Sequence, residues 1–473
     1  MQTVVVGGGV TGLTVAYALR GRGEVTLVEA DERTGGWLRT LRVEQPSGTW
    51  CFESGPEGVL HSPETETLTA ELGLLPQQLI SGHSAKRRYL YLHGALRPLP
   101  SGPKELLTTD LLTWRDRLRL AAEPLVRRRS AGYGPGESMA DFARRRFGDF
   151  AADVVVDAMA SGVFAGDPTK LELASAFPIL AELEREAGSV AVAGLRRQLR
   201  RAWNRHRHPT AEAPSGRPGL RSFQQGMETL PRALTQALGA TVQTGVKVVA
   251  VTKVPGRWGG HFAFRWGVHL DTGQRLMANA VVLATPPAVA GTLLAPYDPP
   301  LAAALHAIPS ASLAVVTLGY PNAAAARCKA LDGFGFLAPR GQGLRTLGVI
   351  WSSALWPERA PDDHLLLRCM VGGATDPTAV DLEDEALIDI AHADVALAMG
   401  LSTRPVFTHV AHHRSAIPQY TVGHARRLAI IDTQLRGQPG LFVAGAGYRG
   451  VGVNDSVRDA LRVATQVRHL LEL

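Results

Sequence analysis

Cysteine is scarce: Cys51, Cys328 and Cys369 are all that 473 residues contain. Three widely spaced cysteines support neither a disulfide framework nor a zinc site, and they fit a reducing compartment. Long hydrophobic runs are missing too, since no apolar stretch reaches the roughly eighteen residues of a membrane span. A strand pattern beginning at residue 3 leaves no room for a signal or transit peptide, so a cytoplasmic protein is expected, one still able to lie against a membrane. There is no internal repeat and no low-complexity segment, and 45% hydrophobic with 20% charged residues is an ordinary globular composition. No Ser/His/Asp arrangement or HExxH motif is present. The histidine clusters, RHRH at 205–208 and His412-His413, have weak metal spacing and read as solvated side chains, so no metal site is expected. The length implies two or three domains, each with its own core.

What is present starts at once, with TVVVGGGVTGLTVAYALRGRGEVTLVEA over residues 3–30. Val4, Val5 and Val6 read as a buried parallel strand, Gly7-x-Gly9-x-x-Gly12 as a turn, and the following residues as a helix. In such a unit the first glycine makes the tight turn, the second admits a pyrophosphate and the third lets helix and strand pack closely. Anions are held by the free N–H groups and positive dipole end of the helix. A second strand ends at Glu29, at the distance where an acid accepts hydrogen bonds from a ribose diol. The unit binds a dinucleotide, and FAD and NAD remain open at this point. DERTGGWLRT then adds Arg33 and the pair Gly35-Gly36, an extension that resembles flavoproteins of the amine-oxidase type. Near the other end, LFVAGAGYRGVGVNDSVRDA (441–460) reads as a strand from Leu441 to Ala444, a glycine cluster, and a helix starting around Asn454 and Asp455, whose N-terminus would face the flavin pyrimidine.

Between these ends the chain reads as interleaved blocks. Residues 1–84, 220–293 and 436–473 form the FAD-binding domain, 85–219 a helical domain, and 294–435 an antiparallel sheet that binds substrate over the cofactor. The expected fold class is α/β (α+β overall), a Rossmann-type domain with both other domains inserted. RHPTAEAPSGRPG, closing the helical block, reads as a mobile loop.

Beyond the glycine motifs, the segments ESGPEG, KRRYLYLHGALRPLPSGP, GVFAGDPTKLELASAFP, GMETLPRAL, MVGGA and IPQYTVGH resemble the protoporphyrinogen oxidase family, and the likeness runs over nearly the whole chain. The resemblance implies an FAD-dependent oxidoreductase that removes six electrons from a tetrapyrrole porphyrinogen, with dioxygen as acceptor and hydrogen peroxide as product. It implies FAD contacts at Gly7, Gly8, Gly9, Val10, Thr11, Gly12, Glu29, Arg33, Gly36 and Trp37. Further contacts would come from Gly55, Pro56, Glu57, Gly58, Val248, Ala446, Val451, Gly452 and Val453. For the substrate, Arg88 matches an arginine that anchors a propionate, a pairing suited to a planar guanidinium. Gly162 matches a glycine whose backbone lies by the substrate, and Leu337, Ile350 and Met370 match apolar residues that sandwich the macrocycle. No side chain is assigned a catalytic role, because flavin N5 takes the hydride and the protein orients the ring. FAD is expected to be non-covalent, since no cysteine lies in the C-terminal flavin segment.

Glu57 departs from the family, which carries asparagine or arginine there; a carboxylate at that place would meet both the flavin and an electron-rich pyrrole. The net charge of +7 is concentrated in RLRLAAEPLVRRRS and RRQLRRAWNRHRH. No nucleic-acid motif accompanies these stretches, and an anionic membrane surface touched peripherally by the helical domain suits them better. A second copy of the chain is a further partner the resemblance admits. Coproporphyrinogen III in place of protoporphyrinogen IX, a different flavin amine oxidase or desaturase, and a flavin-binding protein without turnover all stay open.

Overall fold

A computed structural model of the chain describes residues 1–82, 86–100, 102, 105, 108–129, 136–207, 219–254, 257–258, 261–262, 265–327 and 331–472. Its centre is a parallel sheet of five strands in the order Val242–Gln243, Glu24–Val28, Gln2–Val6, Ala280–Leu283 and Leu441–Val443. Alternation along Gln2–Val6 sends Val5 to one face and Val4 and Val6 to the other, and all three are buried because both faces are covered. Helices Val10–Ala18, Thr229–Leu238 and Val453–Glu472 pack on the first face. The second face is covered by a three-stranded antiparallel sheet, Val248–Val254, Arg265–Leu270 and Arg275–Ala278, and by three further helices.

Those three helices revise the block boundaries. Pro287–Leu294 falls, save for its last residue, in the block assigned there, but Pro299–His306 and His424–Arg436, grouped by sequence with the substrate sheet, also bury Leu301, Leu305 and Ile431 against the nucleotide-binding sheet. An amphipathic pattern states that a face is buried and not which sheet buries it. The hairpin Tyr89–Leu92 and Ala95–Pro98, grouped with the helical block, instead forms one edge of the second sheet. The C-terminal strand stops at Val443 and its helix starts at Val453, each one residue from the expected limit.

The second sheet has seven strands, in the order Phe407–Pro418, Ser310–Pro321, His364–Gly372, Thr346–Trp351, Gly335–Leu337, Tyr89–Leu92 and Ala95–Pro98. Leu367, Cys369 and Val371 face one way and pack with the helix Asp384–Met399. Leu366, Arg368 and Met370 therefore face the other way, toward the nucleotide-binding unit and the helical block.

The helical block holds Trp114–Ala121, Met139–Phe147, Asp157–Phe164, Pro178–Ala187 and Val190–Arg207. Thr113 starts the first with a capping box to Asp116, and Ser138 caps the second through the Asp141 N–H. Inside the block, fully buried Arg146 pairs with Glu123 and Glu184, and the Glu123 carboxylate also accepts the N–H groups of Val190 and Ala191 at the start of the last helix. No helix among the described residues is long and apolar enough to cross a membrane. Residues 208–218 of the expected loop, Cys328 and the side chains of the RHRH cluster lie outside the described residues.

Candidate active site

The Gln2–Val6 strand ends in a turn whose third glycine has no room for a side chain: a Cβ on Gly12 would lie 1.9 Å from the Gly7 carbonyl oxygen. The next helix therefore sits hard against the strand, and it begins at Gly9 with no side chain capping its first N–H groups. Glu29 closes the other side. Its carboxylate accepts the Gly8 N–H and, at 2.9 Å, the Asp31 N–H. Arg33 braces the following turn by donating to the carbonyls of Thr34 and Gly36.

A cavity of about 740 Å³ opens from this turn toward the C-terminal glycine loop and the edge of the seven-stranded sheet. Of the expected FAD contacts, Gly7, Gly9, Val10, Thr11, Glu29, Arg33, Gly36, Trp37, Pro56, Val248, Ala446, Val451 and Val453 line it. Gly8, Gly12, Gly55, Glu57, Gly58 and Gly452 stand outside its wall. Three features fit a flavin dinucleotide: the uncapped helix N-terminus, the open space beside Gly9, and the buried Thr285 hydroxyl in the wall, which has no hydrogen-bond partner.

His412 and His413 both stand in the cavity wall; His412 is exposed, as the solvated reading expects, whereas His413 is half-buried, contrary to it. Successive residues of Phe407–Pro418 point to opposite faces of the sheet, so the two rings part company. His412 bonds the Asp384 carboxylate and the Val380 carbonyl, each at 2.8 Å, and that carboxylate raises its pKa. His413 turns inward, its Nε2–H donating to the Ser54 carbonyl at 2.6 Å and its ring meeting Trp37 edge-on at 5.2 Å. Burial lowers its pKa, which favours the neutral ring.

Glu57 does not reach into the cavity as expected. Its carboxylate is buried, 2.5 Å from Arg368 and 3.1 Å from the Ser352 hydroxyl, and Arg368 also donates to the Gly55 carbonyl at 2.6 Å. The flavin loop is thereby tied to the second sheet. A parallel pair, Glu53 with Arg359 at 2.9 Å, lies behind it, and burial with the nearby Glu57 charge pushes Glu53 up to about 7. Arg368 was not singled out from the sequence, where its only signal is one charge inside the apolar run LLLRCMVGG.

The substrate candidates gather on the second sheet. Gly348 is in register with Leu337 on one side and Met370 on the other, while Ile350 is in register with Gly335 and Arg368. Leu337, Ile350 and Met370 consequently share the face that carries Arg368 toward the flavin loop. Gly162, on the helix Asp157–Phe164, is brought against that face: a Cβ there would lie 2.9 Å from a Leu337 methyl. Arg88 is exposed, its guanidinium 5.3 Å from the centre of the Phe334 ring, and Phe334 packs in one cluster with Ile350. Among the described residues Arg88 is in no ion pair, whereas Arg97, Arg340 and Arg345 are held by Asp110, by Asp157 and Asp167, and by Asp376.

The family described as flavin containing amine oxidoreductase matches residues 10–468. The chain is 34% identical to the protoporphyrinogen oxidase of Bos taurus over 98% of each chain. It is 28% identical to the coproporphyrinogen III oxidase of Bacillus subtilis, over 96% of this chain and 95% of that one. A crystal structure from Exiguobacterium sp. 255-15 superimposes with a TM-score of 0.78 at 24% identity, covering 99% of this chain and 98% of the other.

Proposed function

The chain belongs to the flavin-containing amine oxidoreductases and, within them, to the protoporphyrinogen oxidase family, and from that membership we propose that it oxidises protoporphyrinogen IX to protoporphyrin IX. It is an FAD-dependent oxidoreductase. Bound flavin supplies two-electron acceptance and its return to dioxygen, so three turnovers remove six electrons and six hydrogens from the porphyrinogen and yield three hydrogen peroxides per porphyrin. The chain's own part is positioning. Leu337, Ile350 and Met370 offer an apolar face to a flat macrocycle, Gly162 keeps the facing helix close, and Arg88 receives a propionate.

The observation that carries this reading is the Arg88 guanidinium, in no ion pair among the described residues, beside a shared apolar face. Coproporphyrinogen III presents four carboxylates and protoporphyrinogen IX two, and the neighbouring arginines are already neutralised by aspartates. Purified yellow protein is expected to release three hydrogen peroxides per porphyrin formed from protoporphyrinogen IX. A ratio far below that, at a rate no faster than autoxidation, would remove the proposal.

The helical block is proposed to rest on the cytoplasmic face of a membrane. Leu195, Leu199 and Trp203 follow one another at four-residue spacing on Val190–Arg207, and Trp114 and Leu118 do the same on Trp114–Ala121, all more than half exposed. Leu125, 87% exposed, lies beyond the second of these helices. Apolar stripes flanked by arginines suit an interface of anionic lipid.

A further inference from the structure

The segment IPQYTVGH ends the edge strand of the second sheet and does not line up with any assigned role in substrate or cofactor binding, yet its side chains reach two other units. Tyr420, 1% exposed, donates its hydroxyl to the Ala446 carbonyl at 2.6 Å and accepts the Gly450 N–H at 2.7 Å. Both partners belong to the C-terminal glycine loop, and Ala446 lines the flavin cavity. That loop has no strand or helix of its own between Val443 and Val453, and Gly445 and Gly450 hold φ of +124° and +128°. Besides one backbone bond, from the Tyr448 N–H to the Gly445 carbonyl at 3.2 Å, its backbone is fixed by side chains: Asp459 takes the Gly445 N–H at 3.0 Å, Asp455 takes the Gly452 N–H at 3.3 Å, His424 bonds the Tyr448 carbonyl at 3.3 Å, and the Tyr420 hydroxyl bonds both Ala446 and Gly450. Asp455 and Asp459 come from the helix that follows the loop; Tyr420 comes from a different unit.

Tyr420 is itself held on several sides. Its ring stacks on His424 at 4.1 Å with 15° between planes, its carbonyl accepts the Glu172 N–H at 2.7 Å, and the Glu172 carboxylate accepts the N–H groups of Gly423 and Ala425. Gln419, next to it, donates to the Phe164 carbonyl at 2.7 Å, at the end of the helix that carries Gly162. Burial keeps the Tyr420 hydroxyl protonated and the His424 ring neutral, so neither hydrogen bond of the hydroxyl changes over the neutral range.

We propose that Tyr420 is a positioning residue for the flavin: its hydroxyl sets the loop at 445–450 from outside the nucleotide-binding unit, and Gln419 anchors that setting to the helix beside the substrate face. This rests on flavin occupying the cavity and is independent of which porphyrinogen is oxidised. Loss of the hydroxyl leaves the partly buried Ala446 carbonyl and Gly450 N–H without this partner, in a loop with little backbone hydrogen bonding of its own.

The test compares Tyr420→Phe with Tyr320→Phe, both read as flavin-loaded protein. Tyr320 is a buried tyrosine whose hydroxyl bonds His392 at 3.0 Å on the far face of the second sheet, so its loss reports a missing buried hydrogen bond away from the cavity. Tyr420→Phe is expected to raise the FAD dissociation constant by roughly fivefold or more and to shift the flavin midpoint potential and visible spectrum, equally at pH 6 and pH 8. Tyr320→Phe is expected to leave all three at wild-type values. If Tyr420→Phe comes off purification colourless, FAD titrated into it and into flavin-stripped Tyr320→Phe supplies the same comparison. Equal affinity, potential and spectrum in the two variants, with only a shared fall in melting temperature, would overturn the proposal. Because no porphyrinogen enters these measurements, failure of the substrate reading would leave them unchanged.

Discussion

Arg368 is 2% exposed and Glu57 7%, so the two buried groups compensate one another's charge as an ion pair. Arg368→Met strips the cation from a buried carboxylate and is expected to destabilise the protein by about 3–5 kcal/mol in denaturant unfolding, whereas Glu57→Gln with Arg368→Met should recover much of that loss. An additive double variant would show that the two do not act as a pair. Their link could not be read from sequence, because the partners are 311 residues apart and Glu57 looks like an exposed acid in a glycine-rich loop. Arg88 came from the resemblance of KRRYLYLHGALRPLPSGP to the family, because the bare pattern marks no more than a charge at the start of a strand. Removing it (Arg88→Ala) is expected to raise KM for protoporphyrinogen IX roughly tenfold, as a lost charged hydrogen bond would, with kcat little changed. A fall in kcat at constant KM would assign Arg88 a different task.

The helix His424–Arg436 carries a histidine at its first residue whose pKa burial pushes down from 6.5 to about 4. An unfolded chain binds this proton below about pH 6.5 and the folded chain does not until about pH 4. Its contribution to stability is therefore complete above pH 6.5 and is lost as the pH falls through that window, by about 3 kcal/mol in all. His409 and His413, also held low by burial, act in the same direction. His424→Phe keeps the stack on Tyr420 and removes the titration, so its stability should vary less between pH 6.5 and pH 4 than that of wild type; an unchanged slope would contradict the assignment. Elements of this kind show how far local pattern reaches. The strand, turn and helix of residues 2–18 were legible because their function depends on neighbours within ten residues. The placement of His424–Arg436 was not, because its apolar stripe suits either sheet.

At the scale of the whole molecule, the nucleotide-binding sheet draws strands from the beginning, middle and end of the chain, and the proposed substrate face is laid beside it by a second sheet that includes the distant hairpin at 89–98. Glu57 with Arg368, and Tyr420 with Ala446, are among the points where the two are fastened together. The exposed stripes of the helical block lead to one expectation at this scale. Leu125→Glu with Leu199→Glu should lower the fraction sedimenting with anionic liposomes at low salt while leaving the flavin spectrum intact, and unaltered sedimentation would take that surface out of the account. The central claim is tested most directly by porphyrin fluorescence after mixing the flavin-loaded protein in air with protoporphyrinogen IX or with coproporphyrinogen III, each corrected for autoxidation. Rapid oxidation of the first and slow oxidation of the second is the expected result. Oxidation of neither above background by protein that retains its flavin would contradict it.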